Sequence, residues 1–323
     1  MSVTLLFPGQ GSQHPGMGQF LYDNFAEAKQ VFAEASEALS LDLKKLCFEG
    51  SEADLALTEN TQPALLTVST ATARVIQSLY KPQITAAAGH SIGEYAALVA
   101  AGSLTLSAAV KAVRIRGQAM QSAVPVGQGG MTAVLGLDNQ QIIDLCKYTE
   151  VNSGFSPVSP ANFNSPGQIV ISGSLAALNW LKDNFAAEKI WPENTPRRVK
   201  LISLAVSAPF HCAMMKPAED KMREVLSAID FKDASFPIVQ NYEAKAVVQG
   251  STLRENLIRQ VSAPVLWTQT FATLKDLKSK NCIECGAGKV LSGLAKKIDA
   301  EAFTIYNTTN LDEVKALETV LTN

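Results

Sequence analysis

Apolar positions along this chain come in two rhythms: short continuous runs, and longer stretches with helical spacing. Val3 to Phe7 is a run of the first kind and predicts a strand. Phe25 to Leu39 keeps helical spacing, as does Gln62 to Leu79, where Thr61 stands ahead of the first turn and Pro63 within it. A second strand-like run, Ile84 to Ala88, is followed by two further helical stretches, Glu94 to Ala101 and about Ser107 to Ser122. Strands alternating with helices predict a parallel sheet covered on both faces.

The pattern changes after Gly127-Gln128-Gly129-Gly130. Met131 to Leu137 predicts a strand and Asn139 to Lys147 a helix. Val158 to Phe163 and Gln168 to Ser172 predict two strands joined through Asn164-Ser165-Pro166-Gly167, a strong turn sequence. A helix from Leu175 to Phe185 and a strand from Arg198 to Leu204 complete the order β-α-β-β-α-β, the ferredoxin-like signature. The expected organisation is α/β: a large domain with a parallel sheet, residues 1–126 and 206–323, carrying a small subdomain inserted at residues 127–205. Tyr148 to Pro157 and Lys189 to Thr195 are polar or turn-rich and predict surface loops. Lys280 to Cys285 predicts a late strand ending at the glycine turn Gly286-Ala287-Gly288.

Composition narrows the class of function. With 47% hydrophobic and 18% charged residues, a chain of 323 residues can fill a sizeable core. A net charge of −2 leaves no basic footprint for nucleic acid. No stretch approaches the ~18 apolar residues of a membrane span, and Met1 to Phe7 lacks the basic segment of a secretory leader. Five cysteines, an odd and sparse set, fit free thiols in a reducing compartment, so a cytoplasmic location is expected. Cys282 and Cys285 form C-x-x-C without a second pair or a nearby histidine. On a strand the two thiols point to opposite faces, so buried structural cysteines are expected and no metal site.

Candidate chemistry centres on Gly89-His90-Ser91-Ile92-Gly93, a G-x-S-x-G between a strand and a helix. That context is what a nucleophile elbow requires: the strand delivers the serine to a sharp turn, and the helix behind it favours developing negative charge. A serine hydroxyl needs a base, and the chain has three histidines. His90 adjoins Ser91 on a tight turn, so its ring should diverge from the hydroxyl. His211 stands where the chain returns from the insertion, at a domain junction facing a cleft, and is the expected base. His14, in a glycine-rich loop, is the fallback. No acid occupies the position that the usual Ser–acid–His order of α/β-hydrolases would use, so a backbone carbonyl is a candidate to orient His211. The Ile92 amide is one natural oxyanion donor. A second could come from Gly9-Gln10-Gly11-Ser12-Gln13, which otherwise reads as a tight strand-to-helix turn.

On the stretch Ser107 to Ser122, Lys111, Arg114, Gln118 and Gln121 repeat as a solvated stripe, while Arg116 falls among Ala109, Val113 and Met120. An arginine on an apolar face is costly unless an anion meets it. Either an internal Asp or Glu pairs with it, or its fork holds a substrate carboxylate in bidentate fashion.

Taken together, Gly9 to Gln13, Gly89 to Tyr95, Arg116-Gly117, Asn162 to Gln168, Pro209-Phe210-His211 and Gly288 to Leu291 resemble the malonyl-CoA:acyl-carrier-protein transacylases over nearly the whole chain. The resemblance implies a large α/β-hydrolase-like domain with a ferredoxin-like insertion. It implies a Ser91–His211 dyad, a histidine held by the backbone carbonyl of Gln260, and an oxyanion hole of the Gln10 and Ile92 amides. It also implies a malonyl carboxylate on Arg116 and Asn162 lining the site. The implied reaction passes malonyl from malonyl-CoA through a malonyl-serine to the phosphopantetheine of acyl carrier protein, for fatty acid synthesis, by a monomer with no cofactor of its own. Alternatives are a trans-acting acyltransferase of a polyketide synthase and an acyl-thioester hydrolase. Carrier proteins are typically acidic, which makes Arg197, Arg198, Lys200, Lys289, Lys296 and Lys297 candidates for a basic rim. Two departures from the family pattern stand out: longer loops at 148–157 and 189–195, and Ala287 where many relatives carry proline.

Overall fold

The computed structural model describes residues 2–321, so Met1 lies outside them. The described residues form two sheets. The larger runs in the order β10 (Thr304–Tyr306), β9 (Asn281–Glu284), β1 (Ser2–Phe7), β2 (Gln83–Gly89), β7 (Ile238–Val239) and β8 (Ala246–Val247). It is parallel except for the β7–β8 edge. The smaller is antiparallel, in the order β4 (Val158–Ser165), β5 (Gln168–Ser174), β3 (Gly129–Leu135) and β6 (Lys200–Ser203).

Register explains where a site can form. Phe7 pairs with Gly89, so β1 and β2 end side by side and release the Gly9–Gln13 loop and the elbow at one edge. Val239 pairs with Ala88, which brings Gln240 and Asn241 out beside the same elbow. Ligands of open α/β sheets collect at such carboxyl edges. The small sheet obeys the two-residue period of a strand. Val134, Ile169 and Ile171 pack into a core with the helices Asn139–Ser153 and Leu175–Asn184. Met131 and Val170, on the other face, line a cavity against the large sheet. Main-chain bonds tie the two parts together: Phe163 N–H donates to Val265 O at 2.9 Å and Val265 N–H to Ala161 O at 2.8 Å.

Three sequence expectations are corrected. Pro63 is not in a first turn, because its helix begins earlier and spans Thr58–Tyr80. A mid-helix proline leaves the carbonyl four residues back without its N–H. Here that carbonyl, Glu59 O, accepts from Arg114 Nη1 at 2.8 Å. The segment 148–157 is not all loop: its first half continues the helix to Ser153, with Thr149 buried one turn beyond Leu145 and Cys146. The segment 189–195 begins inside a single helical turn, Ala187–Ile190. All five cysteines are buried and free. Cys282 packs beside Leu6 and Trp267, and Cys285 packs in the core that holds Phe7, on opposite faces of the sheet.

Candidate active site

Ser91 sits at the tip of the turn between β2 and the helix Gly93–Ala100, with φ of 51°. A left-handed serine is strained and must be held. Asn241 holds it: its Oδ1 accepts the Ser91 N–H at 2.7 Å and its Nδ2 donates to Gly89 O at 2.7 Å. Glycine is required on either side of the serine for space. A Cβ on Gly93 would lie 2.2 Å from Phe7 O, and one on Gly89 would lie 2.0 Å from the Gly93 carbonyl carbon.

His211, also at positive φ (58°), brings Nε2 to 2.7 Å from Ser91 Oγ. Its Nδ1 faces two carbonyl oxygens, Gln260 O at 2.9 Å and Ala263 O at 3.2 Å. Two acceptors at Nδ1 place the ring proton there and leave the Nε2 lone pair for the serine proton. Burial, reinforced by the positive charge of Arg116, pushes His211 down to about 3, so the imidazole is neutral at neutral pH.

Arg116 is 2% exposed. Nη1 donates to Gln62 Oε1 at 2.9 Å, and Nη2 donates to Gln260 Oε1 at 3.0 Å and to Ser91 Oγ at 3.2 Å. Its Nε has no partner. Among the described residues no carboxylate comes within ion-pair distance of it. Of the two sequence readings, the internal salt bridge is therefore absent. A buried guanidinium neutralised by no adjacent anion is suited to bind one.

These groups open on a cavity of about 170 Å³. Gln10, Gln62 and His90 line it from the large domain side, and Met131, Asn162 and Asn164 from the small sheet. Gln10 is anchored by its Nε2 to Thr58 Oγ1 at 3.2 Å, and Gly9 packs against the His90 carbonyl. Among the described residues, neither the Gln10 nor the Ile92 amide N–H has a hydrogen-bond partner. Asn162 is buried at 7% exposure on the cavity wall.

Of the expected residues, Ser91, His211, Arg116, Gln10, Asn162 and the Gln260 carbonyl thus converge. His14 does not: it lines a separate small cavity with Gly286 and Gly288. His90 turns away from the hydroxyl as expected, to Asn164 Oδ1 at 2.8 Å and the edge of Trp267. Two of the expected rim cations are engaged elsewhere, Lys289 with Glu313 and Lys297 with Gln168. Sequence reasoning missed Asn241 and the Gln260 side chain, which lie in no patterned segment, and Gln62, which was read only as the first residue of a helical stretch. It also passed over Glu94, although a lone carboxylate opening the apolar stretch Tyr95 to Ala100 was a usable signal. Among the described residues no group of His, Cys, Asp and Glu could hold a metal ion.

Comparison with known proteins gives the family of the whole chain. The model of the acyl transferase domain family matches residues 4–296. A malonyl CoA-acyl carrier protein transacylase of Bacillus subtilis (strain 168) is 44% identical over 94% of this chain and 92% of its own. The solved malonyl CoA-acyl carrier protein transacylase of Coxiella burnetii is 36% identical, with a TM-score of 0.91 over 100% of this chain and 98% of its own. A malonyl-transacylase solved in complex with a type II PKS acyl-carrier protein is 39% identical, with a TM-score of 0.90 over all of both chains. This chain belongs to the acyl transferase domain family and, within it, to the malonyl CoA-acyl carrier protein transacylases.

Proposed function

We propose that the chain transfers malonyl from malonyl-CoA to the phosphopantetheine thiol of acyl carrier protein, through a malonyl ester on Ser91, in the supply of fatty acid synthesis. One observation carries the reading: Ser91 Oγ lies 2.7 Å from His211 Nε2 and 3.2 Å from a buried arginine that, among the described residues, no carboxylate neutralises. His211 Nε2 takes the Ser91 proton as Oγ attacks the thioester carbon. The Gln10 and Ile92 amides hold the oxyanion. The C–S bond then breaks, His211 returns the proton to the CoA sulfur, and malonyl remains on Ser91. The pantetheine thiol reverses these steps. The Gln260 carbonyl keeps the His211 tautomer fixed throughout. Arg116 binds the malonyl carboxylate, and Asn162 shapes the wall opposite.

The carbonyl chemistry asks nothing of a resident cofactor, since CoA and pantetheine both arrive with the substrates. The finer architecture belongs to the same reading: an α/β-hydrolase-like domain, residues 1–126 and 206–323, with a ferredoxin-like insertion at 127–205. The strand order β4-β5-β3-β6 with two helices on one face supports the insertion. Five unpaired thiols support a cytoplasmic setting.

Initial rates with malonyl-CoA and carrier protein both varied test the proposal. A covalent intermediate gives parallel double-reciprocal lines. Intersecting lines, or release of free malonate at the same rate without carrier protein, would count against it.

A further inference from the structure

Behind the serine lies a buried polar cluster that the reaction steps above do not use. Glu94 has no measurable exposure. Its carboxylate receives only donors: Gln240 Nε2 on Oε1 at 2.9 Å, and the Asn241 N–H at 2.8 Å and Gln260 Nε2 at 3.1 Å on Oε2. Gln240 cannot reverse its amide without loss, because its Nε2 also donates to Leu253 O and its Oε1 accepts from Asn256 Nδ2. Gln260 Nε2 is further committed to Ser91 O at 3.1 Å and Asn241 Oδ1 at 3.3 Å. With its NH2 fixed on that side, Gln260 must turn Oε1 to Arg116, and it does so at 3.0 Å. One amide therefore stands between a buried carboxylate and a buried guanidinium that, among the described residues, has no carboxylate of its own.

We propose that Glu94 is a positioning residue for substrate selection: its ionised carboxylate fixes the Gln260 amide, which holds the Arg116 guanidinium where a substrate carboxylate can meet it. This deepens the reading of Arg116 as the malonyl clamp and rests on it. A glutamine at 94 presents an NH2 to at least one donor, so it cannot reproduce the all-acceptor face. Gln260 is then less firmly oriented, and a reversed amide would turn donors toward Arg116.

The charge state gives a second handle. The charged group facing Glu94 is Arg116, on the neighbouring helix; the groups from the β7–β8 side and the helix Gly250–Arg259 are the neutral Gln240, Asn241, Asn256 and Gln260. Tyr95 beside it is buried, which raises its hydroxyl far above neutrality, and His211 is held near 3. Burial raises Glu94 to about 7, against the pull of its donors and of Arg116. Glu94 is an acid, so it is ionised above that value and protonated below it. Preference for a carboxylate-bearing acyl group therefore falls as pH drops through about 7.

The experiment measures acyl loading of Ser91 from malonyl-CoA and from acetyl-CoA across this pH range, on the unaltered chain and on Glu94→Gln and Glu94→Asp. The unaltered chain is expected to lose malonyl-over-acetyl preference about tenfold across the transition. Glu94→Gln should show the low-preference state at every pH, mainly through a raised KM for malonyl-CoA, and Glu94→Asp should restore part of the preference. A malonyl-to-acetyl ratio in the unaltered chain that stays flat through pH 7 would overturn the proposal, and this arm needs no variant to fold. So would a Glu94→Gln enzyme that loses both substrates equally. Failure of the unaltered chain to load malonyl at all would instead strike the proposed function.

Discussion

At Arg116 a guanidinium 2% exposed meets two amide oxygens and a serine hydroxyl and, among the described residues, nothing anionic within ion-pair distance. Its place among Ala109, Val113 and Met120 was legible from helical spacing, because an apolar stripe makes a charge conspicuous. Whether it pairs internally was not legible, since the competing carboxylates lie far away in sequence. Replacing it with alanine removes the proposed clamp and its desolvation cost together. Arg116→Ala is therefore expected to lower kcat/KM for malonyl-CoA roughly 10- to 150-fold, about 1.5–3 kcal/mol, while acetyl-CoA falls much less. Competitive loading with both thioesters reads the ratio. An unchanged preference would remove Arg116 from substrate selection.

The elbow is an element in which sequence and geometry agree closely. Glycines at 89 and 93 and a serine between strand and helix predict a tight turn, and each glycine faces main chain with no room for a methyl group. Gly93→Ala is expected to cost about 3 kcal/mol or more, measured by denaturant unfolding, because the clash is with the rigid β1 carbonyl rather than a flexible side chain. Stability within experimental error of the parent would show that the turn can relax. Other elements were harder to read. The helix Asn139–Ser153 outruns its apparent end because beyond Lys147 its only buried residue is Thr149, which leaves no apolar pattern to read, although Gly154 at φ 71° marks the true cap. Pro63 misled for a related reason: a proline suggests a helix start, but Arg114 supplies from another helix the donor that the proline lacks.

Across the whole molecule, the parallel sheet, the change of pattern near residue 127 and the return near 206 follow from local periodicity. The site depends on what periodicity does not carry. Asn241 follows a strand of only two residues, yet parallel pairing with β2 sets it against both sides of the elbow. The carbonyls of Gln260 and Ala263, and no carboxylate among the described residues, face His211 Nδ1, and any residue type can supply a carbonyl. The order of Ser91 and His211 therefore pointed toward a dyad oriented by some backbone carbonyl, while the assignment of that carbonyl to Gln260 came only from the resemblance.

The central claim is a covalent malonyl group on one serine. Intact-mass measurement after brief mixing with malonyl-CoA, followed by peptide mapping and a chase with phosphopantetheinylated carrier protein, tests it most directly. The account predicts a single malonyl adduct on Ser91, its disappearance on the chase with malonyl appearing on the carrier, and no adduct on Ser91→Ala. An adduct that persists in Ser91→Ala, or carrier protein that becomes malonylated at full rate by that variant, would contradict it.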